Sequence, residues 1–180
     1  MKIEVATSLF PEVKISTGIN FQDERGSLKK TIFGDDLMKT MGNVQEVLCT
    51  TSIKNSVRGL HFQDPPFAIS KFIQCVSGEI LDVFLDIRNG SPTYGLYGTR
   101  KLNADDNNAI FIPEGFAHGF ITLSQQSIVV YLQSGDYNAE FDQTINPLSL
   151  NIDWLSKSPI ISDKDLNGVN FKDYKPTMNY

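Results

Sequence analysis

Histidine is scarce in this chain. There are two in 180 residues, His61 and His118. Cysteine is equally rare, and Cys49 and Cys75 form neither a metal-binding nor a disulfide spacing, so a reducing cytoplasm is the expected setting. With two histidines and no cysteine pair, a three-histidine metal site cannot be assembled, and no metal is expected. No apolar run approaches the ~20 residues that a membrane helix needs. The start, Met1-Lys2-Ile3-Glu4-Val5, has an early acid and no long apolar core, which makes a poor signal peptide. Positive charge is also in short supply: 16 Lys and Arg face 21 Asp and Glu, for a net charge of −5. That excludes nonspecific nucleic-acid binding, which needs a basic face. An anionic substrate would have to be held by locally clustered arginine and lysine.

Long helical periods are missing too, and short strands fill the space. Ile69–Val76 reads as a strand ended by Ser77-Gly78. Leu81, Val83 and Leu85 alternate with Asp82, Phe84 and Asp86. Asn89-Gly90-Ser91-Pro92 is a strong turn signal, Tyr94–Leu102 a further strand, and Asp105–Asn108 a further turn. Ala109–Ile112, Gly119–Leu123 and Ile128–Leu132 complete the set. Upstream, residues 1–22 read as an edge strand or arm and Asp23–Ser27 as a turn with Arg25 at its tip. Asp35–Thr40 reads as a short helix capped by Asp35, and Val44–Ile53 is β-prone. After Ser149 the chain turns polar and is expected to cross the barrel as turns and a short helix. Turns every eight to twelve residues argue for an all-β fold, an antiparallel barrel or double-sheet jelly roll with short flanking helices, rather than a parallel α/β sheet. The length suits a single domain over 1–180, divided into an N-terminal arm and strands (1–56), a barrel core (57–135) and a C-terminal segment (136–180).

Both histidines fall in stretches that look built for chemistry. Val57-Arg58-Gly59-Leu60-His61-Phe62-Gln63 runs on to Lys71 beside apolar strand sequence, where charges are costly to bury without anionic partners. In a regular strand Arg58 and His61 would point to opposite faces, so a bend or bulge at Gly59 is required if both serve one pocket. Pro113-Glu114-Gly115-Phe116-Ala117-His118 resembles the second signature of cupin barrels, in which the histidine often holds a metal. Taken alone, a histidine in a β protein is more often a satisfied core or surface residue than a catalyst. Tyr131, at the end of an apolar run, reads by itself as a core tyrosine. Ser162-x-x-Asp165 reads as a capping box, and an acid that orients a histidine is the competing explanation for Asp165.

Taken together, the segments Asp23–Gly26, Arg58–Gln63, Lys71, Gly78–Val83, Ser91–Gly95, Ile112–Phe120, Tyr131, Asp136-Tyr137, Ile152–Trp154 and Ser162–Asp165 resemble, in order, the nucleotide-sugar 3,5-epimerase family. The resemblance implies a cupin-type barrel and a homodimer whose N-terminal segments cross between subunits. That barrel is, by the resemblance, an all-β cupin-type jelly roll; no cofactor is implied, and the substrate is a nucleotide-diphosphate 4-keto-6-deoxy sugar, inverted at C3, C5 or both through an enolate. By the same resemblance His61 is the general base, Asp165 the acid that holds its imidazole, Tyr131 the general acid on the opposite sugar face, and Lys71 the cation near the enolate oxygen. Arg25, Arg58, His118, Lys30, Gln45 and Tyr137 are the expected substrate-binding groups.

The chain departs from the family pattern at Lys30, where a glutamate is common, and at Val47-Leu48-Cys49, where polar residues are usual. Both regions help hold the nucleotide in the family. The expectation drawn from them is that a GDP-linked 4-keto sugar, a 6-deoxy-heptose being one such substrate, is accepted at least as well as a dTDP-hexose. Two other functions compete: a sugar-nucleotide 3,4-ketoisomerase, which would use paired histidines, and a non-catalytic sugar-binding cupin, which would not need His61, Lys71 and Tyr131 together.

Overall fold

Among the described residues there are fourteen β-strands, and alternating side chains decide which way each faces. The computed structural model describes residues 9–31 and 39–180, and the backbone alone of 2–7. Most of the expected Asp35–Thr40 helix lies outside the described residues; 39–41 are helical.

One six-stranded sheet contains β1 (Lys2–Thr7), β2 (Phe10–Thr17), β5 (Glu46–Ile53), β7 (Lys71–Ser77), β10 (Asn108–Ile112) and β12 (Gln126–Gln133). Their order across the sheet is β1-β2-β10-β7-β12-β5. The second sheet runs β13-β6-β11-β8-β9. Its strands are β6 (Ser56–Gln63), β8 (Glu79–Asp86), β9 (Tyr97–Asn103), β11 (Phe116–Thr122) and β13 (Asp142–Thr144). A two-residue strand β14 (Ile160–Ile161) adds to β6 in parallel, and β3 (Ile19–Asp23) with β4 (Gly26–Lys30) forms a separate hairpin.

Two apolar layers hold this arrangement. The inner faces of the sheets meet through Phe10, Val13, Ile15, Ile73, Ile80, Phe84, Ile110, Phe120 and Val129, all buried. β2 pairs with both β1 and β10, so the stretch read as an arm places a strand inside the sheet and Phe10 in the core. The C-terminal segment covers the outer face of the second sheet. There Ile152 and Trp154 pack on Val57, Leu81, Val83, Leu85 and Ile121. The expected strand from Tyr94 begins three residues later, because Ser91–Gly95 is spent on turns that close over the Asp86 carboxylate.

Candidate active site

Between the two sheets lies a cavity of about 420 Å³, lined by residues of both. Its first requirement is that Arg58 and His61 face the same way. Across the β6–β11 pair, His61 stands opposite His118 and Arg58 opposite Phe120, so three steps on β6 match two on β11. The extra residue turns both side chains into the cavity, which both line. Gly59 makes this possible: its φ is +123°, and a Cβ there would come within 2.6 Å of the Gly119 Cα and the His118 carbonyl oxygen.

His61 Nε2 lies 2.7 Å from Asp165 Oδ1. A carboxylate only accepts, so Nε2 carries the proton and Nδ1 keeps its lone pair. The other Asp165 oxygen accepts the Gly59 N–H at 3.2 Å. Asp165 also donates its backbone N–H to the Ser162 hydroxyl, 3.1 Å away, at the start of the short helix Asp163–Leu166. The helix-start and histidine-orienting readings of Asp165 are therefore both met: its backbone closes the cap and its side chain serves His61. Burial would raise the Asp165 carboxyl, but the His61 bond and charge, with the Gly59 and Ser162 bonds, outweigh it and hold it below its ordinary value.

Beside this pair stands a second one. His118 Nε2 lies 2.7 Å from Asp82 Oδ2, and both side chains are buried. Burial lowers the His118 imidazole below its ordinary value; Asp82 opposes the shift, while Lys71 and His61 add to it. Asp82 was not among the residues singled out in the sequence. Its alternation with Leu81 and Val83, placing a carboxylate on an inward-facing position, was the available signal.

The other sheet supplies Lys71 and Tyr131. The Lys71 ammonium is buried and donates to the His61 carbonyl at 2.9 Å. Burial pulls it down to about 8, against the opposing charges of Asp142 and Asp82. Tyr131 is 9% exposed and its ring meets that of His118 edge-on at 6.0 Å. Burial, then Asp82, push its phenol above the usual range, against the Thr50 hydroxyl and the Arg58 charge. Arg58 is tied to neutral groups, the Ser52 hydroxyl at 2.8 Å and the Thr51 carbonyl at 3.2 Å, so its charge remains available to an anion.

At the mouth, Tyr137 donates to Asp142 at 3.5 Å and Lys164 pairs with the same carboxylate at 2.6 Å. Glu46 and Leu48 also reach the cavity. Of these, only Tyr137 was anticipated as a site residue. Lys164 was discoverable as the neighbour of Asp165, whereas the spacing of Asp142 and Glu46 gave no comparable signal.

Three expected binding residues stand elsewhere within the chain. Gln45 turns away from the cavity, and its side-chain oxygen accepts the Gly135 N–H. Arg25 is at the tip of the β3–β4 hairpin, 84% exposed and paired with Asp23 at 2.6 Å. Lys30 ends the same hairpin and does not line the cavity. Val47 and Cys49 also face outward, because alternation on β5 gives the cavity Glu46, Leu48 and Thr50. Among the described residues, no three His, Cys, Asp or Glu side chains converge as they would around an ion, and no helix is long and apolar enough to cross a membrane.

Comparison with known proteins supplies the remaining finding. The family model described as dTDP-4-dehydrorhamnose 3,5-epimerase matches residues 7–173. The curated dTDP-4-dehydrorhamnose 3,5-epimerase of Shigella flexneri is 37% identical over 177 residues, covering 95% of this chain and 97% of that protein. A crystal structure of dTDP-6-deoxy-D-glucose-3,5-epimerase from Legionella pneumophila, in complex with dTDP-4-keto-L-rhamnose, superposes with a TM-score of 0.91 at 28% identity over 99% of both chains. The crystal structure of dTDP-4-dehydrorhamnose 3,5-epimerase from Sulfolobus tokodaii gives 0.90 at 34% identity over 97% of each. With that match running nearly the whole length of a cupin-type jelly roll, the chain belongs to the dTDP-4-dehydrorhamnose 3,5-epimerase family, and it is an epimerase.

Proposed function

We propose that this epimerase acts on a dTDP-linked 4-keto-6-deoxyhexose, inverting C3 and C5 by abstraction and return of protons. The observation that carries this reading is that His61 and Tyr131 approach one cavity from opposite sheets, with Lys71 lining the same cavity and bonded to the His61 carbonyl. The 4-keto group acidifies the C–H bonds on both sides of it. The Nδ1 lone pair of His61 takes one such proton, and the ion pair with Asp165 stabilises the resulting imidazolium. General-base help of this kind contributes ~10²–10⁴-fold. The buried Lys71 ammonium stabilises the charge that collects on the enolate oxygen. Tyr131 returns a proton from the other face. Its raised phenol value suits a group that stays protonated until a strongly basic carbanion meets it. Arg58 takes the diphosphate, Tyr137 stands at the nucleotide end, and neutral His118 accepts a sugar hydroxyl.

The working unit is a homodimer. The outer face of β5 and β7 leaves Val47, Ile53 and Val76 exposed at 65%, 59% and 44%, which an isolated barrel would not favour. Phe21, Leu28 and Arg25 of the hairpin are also uncovered, which supports a role for them against a neighbouring subunit. The reducing cytoplasm suits the free, exposed Cys49. Of the departures that favoured a GDP-heptose, Val47 and Cys49 face away from the cavity, so the dTDP sugar takes precedence.

The test is incubation with dTDP-4-keto-6-deoxyglucose in D₂O, with deuterium followed at C3 and C5 by NMR. Incorporation at both carbons with inverted product is expected. Binding without exchange at either carbon would reduce the cavity to a sugar-nucleotide receptor.

A further inference from the structure

Gln63 ends β6 two residues beyond His61, and no step of the proposed reaction uses it. It lines the cavity and is 5% exposed. Its amide is already committed to the protein. Nε2 donates to the Phe67 carbonyl at 2.8 Å and to the Asp136 carbonyl at 3.1 Å, and Oε1 accepts the Asn138 N–H at 2.7 Å. Both N–H bonds are spent on carbonyls and the oxygen on an N–H. Reversing the amide would set like against like at all three contacts, so it has one orientation.

Two of these bonds fall on either side of Tyr137, at Asp136 and Asn138. Tyr137 lines the cavity mouth, yet it is 59% exposed and its hydroxyl reaches Asp142 only at 3.5 Å. A bond that long does little to fix an exposed ring. The third bond ties in the loop after β6, where the Asp64 N–H reaches the Phe141 carbonyl at 3.0 Å and the Phe67 and Phe141 rings lie 4.8 Å apart. One buried amide therefore joins the end of β6 to both loops of the rim. We infer that Gln63 is a positioning residue for Tyr137: it holds the backbone on both sides of that residue and so sets the ring at the edge of the cavity. With its N–H bonds spent inside the protein, it acts through Tyr137 rather than on the substrate. Its bonds fasten the rim and not the side chains of His61, Lys71 or Tyr131, so losing them should weaken binding and spare the chemistry.

The effect on turnover rests on the part given to Tyr137 at the nucleotide end; the hold on the ring does not, and it can be read without substrate. The experiment labels the full chain, with its six tyrosines, with 3-fluorotyrosine for ¹⁹F NMR. Tyr137 is assigned through Tyr137→Phe, and Tyr97 and Tyr131 in the same way as reporters of an intact barrel. Gln63→Met keeps the side chain's length and removes all three bonds. Gln63→Glu is the milder variant, keeping the acceptor for Asn138 and losing both donations. In each, the Tyr137 signal should shift while those of Tyr97 and Tyr131 stay in place. Gln63→Met should raise KM about tenfold with kcat retained, the pattern of lost binding. In a Tyr137→Ala background the same change should raise KM by less than about twofold, because the residue it acts through is gone. An unmoved Tyr137 signal in both variants would overturn the inference. So would an equal rise in KM in the two backgrounds, which is what direct contact of Gln63 with the substrate would give. A signal that moves while KM stays fixed supports the hold on the ring and refutes instead the part given to Tyr137 in binding.

Discussion

His61–Asp165 and His118–Asp82 face each other across β6 and β11, each closed by a 2.7 Å contact from Nε2 to a carboxylate oxygen. Bond length does not separate them; surroundings do. The His61 side chain is 33% exposed, whereas that of His118 is 3% exposed. Asp165 has further donors in Gly59 and Ser162 to share its charge, while Asp82 Oδ1 is buried with no hydrogen-bond partner among the described residues. A proton picked up by His61 can leave through the open cavity. One on His118 would be sealed in beside Lys71, and burial keeps that imidazole neutral. On the proposed mechanism, the same pair of residues serves as a base in one place and as a fixed polar anchor in the other.

The most direct way to break this comparison is to make one substitution in both pairs. His61→Asn should lower kcat by ~10³–10⁴-fold, the range of a lost general base, and stop deuterium exchange at both carbons. His118→Asn should cost about tenfold in kcat/KM, ~1.4 kcal/mol, with exchange retained. Equal losses of exchange in the two variants would mean that the pairs share the proton chemistry. Stability should divide the other way. His118→Ala strands a buried carboxylate and should cost about 3–5 kcal/mol in urea unfolding. His61→Ala leaves Asp165 its Gly59 and Ser162 donors and should cost less than His118→Ala.

How far the sequence carried this picture differs residue by residue. The alternation of Leu81, Val83 and Leu85 specified a half-inward strand, and turn clusters such as Asn89–Pro92 marked its end, so the sheet class was legible from local pattern. The Arg58/His61 parity problem was visible as well, because its solution is a glycine that must sit against Gly119. The same rule applied to β5 would have separated Val47 from Leu48, since neighbours on a strand cannot both face one cavity. The role of β2 in the core was not legible, because its partner β10 lies some ninety residues on and pairing at that distance leaves no local signal. Asp142 was missed for the same reason, since what defines it is the company it keeps across strands; Asp82 had a local signal in its alternation with Leu81 and Val83.

Tyr131 refines the comparison from the opposite sheet, since its ring rests edge-on against His118. Tyr131→Phe keeps that packing and removes only the hydroxyl. Deuterium should still enter, because abstraction by His61 does not need the phenol, but inverted product should form ~10²-fold more slowly, the low end for a lost general acid. Unchanged product stereochemistry and rate would make Tyr131 a core residue.

The mildest effect expected is in the pH profile, where the two pairs and Lys71 should be separable. Lys71 must be an ammonium to stabilise an enolate, and burial brings it down to about 8 from its ordinary 10.5. Its useful form therefore predominates below pH 8 and is lost above it, so kcat/KM should level off below this value and fall as pH rises through it. At about one pH unit above the midpoint the loss is roughly tenfold, the ratio of charged to neutral amine there. His118 should add no step to this limb, because its imidazole is already neutral at such pH. Lys71→Arg keeps a cation whose guanidinium does not titrate in this range. Whatever activity it retains should be flat across pH 7–9, even if the longer side chain lowers its level. A limb near pH 8 that survives in Lys71→Arg would assign that titration to another group and remove the support that Lys71 lends to the enolate.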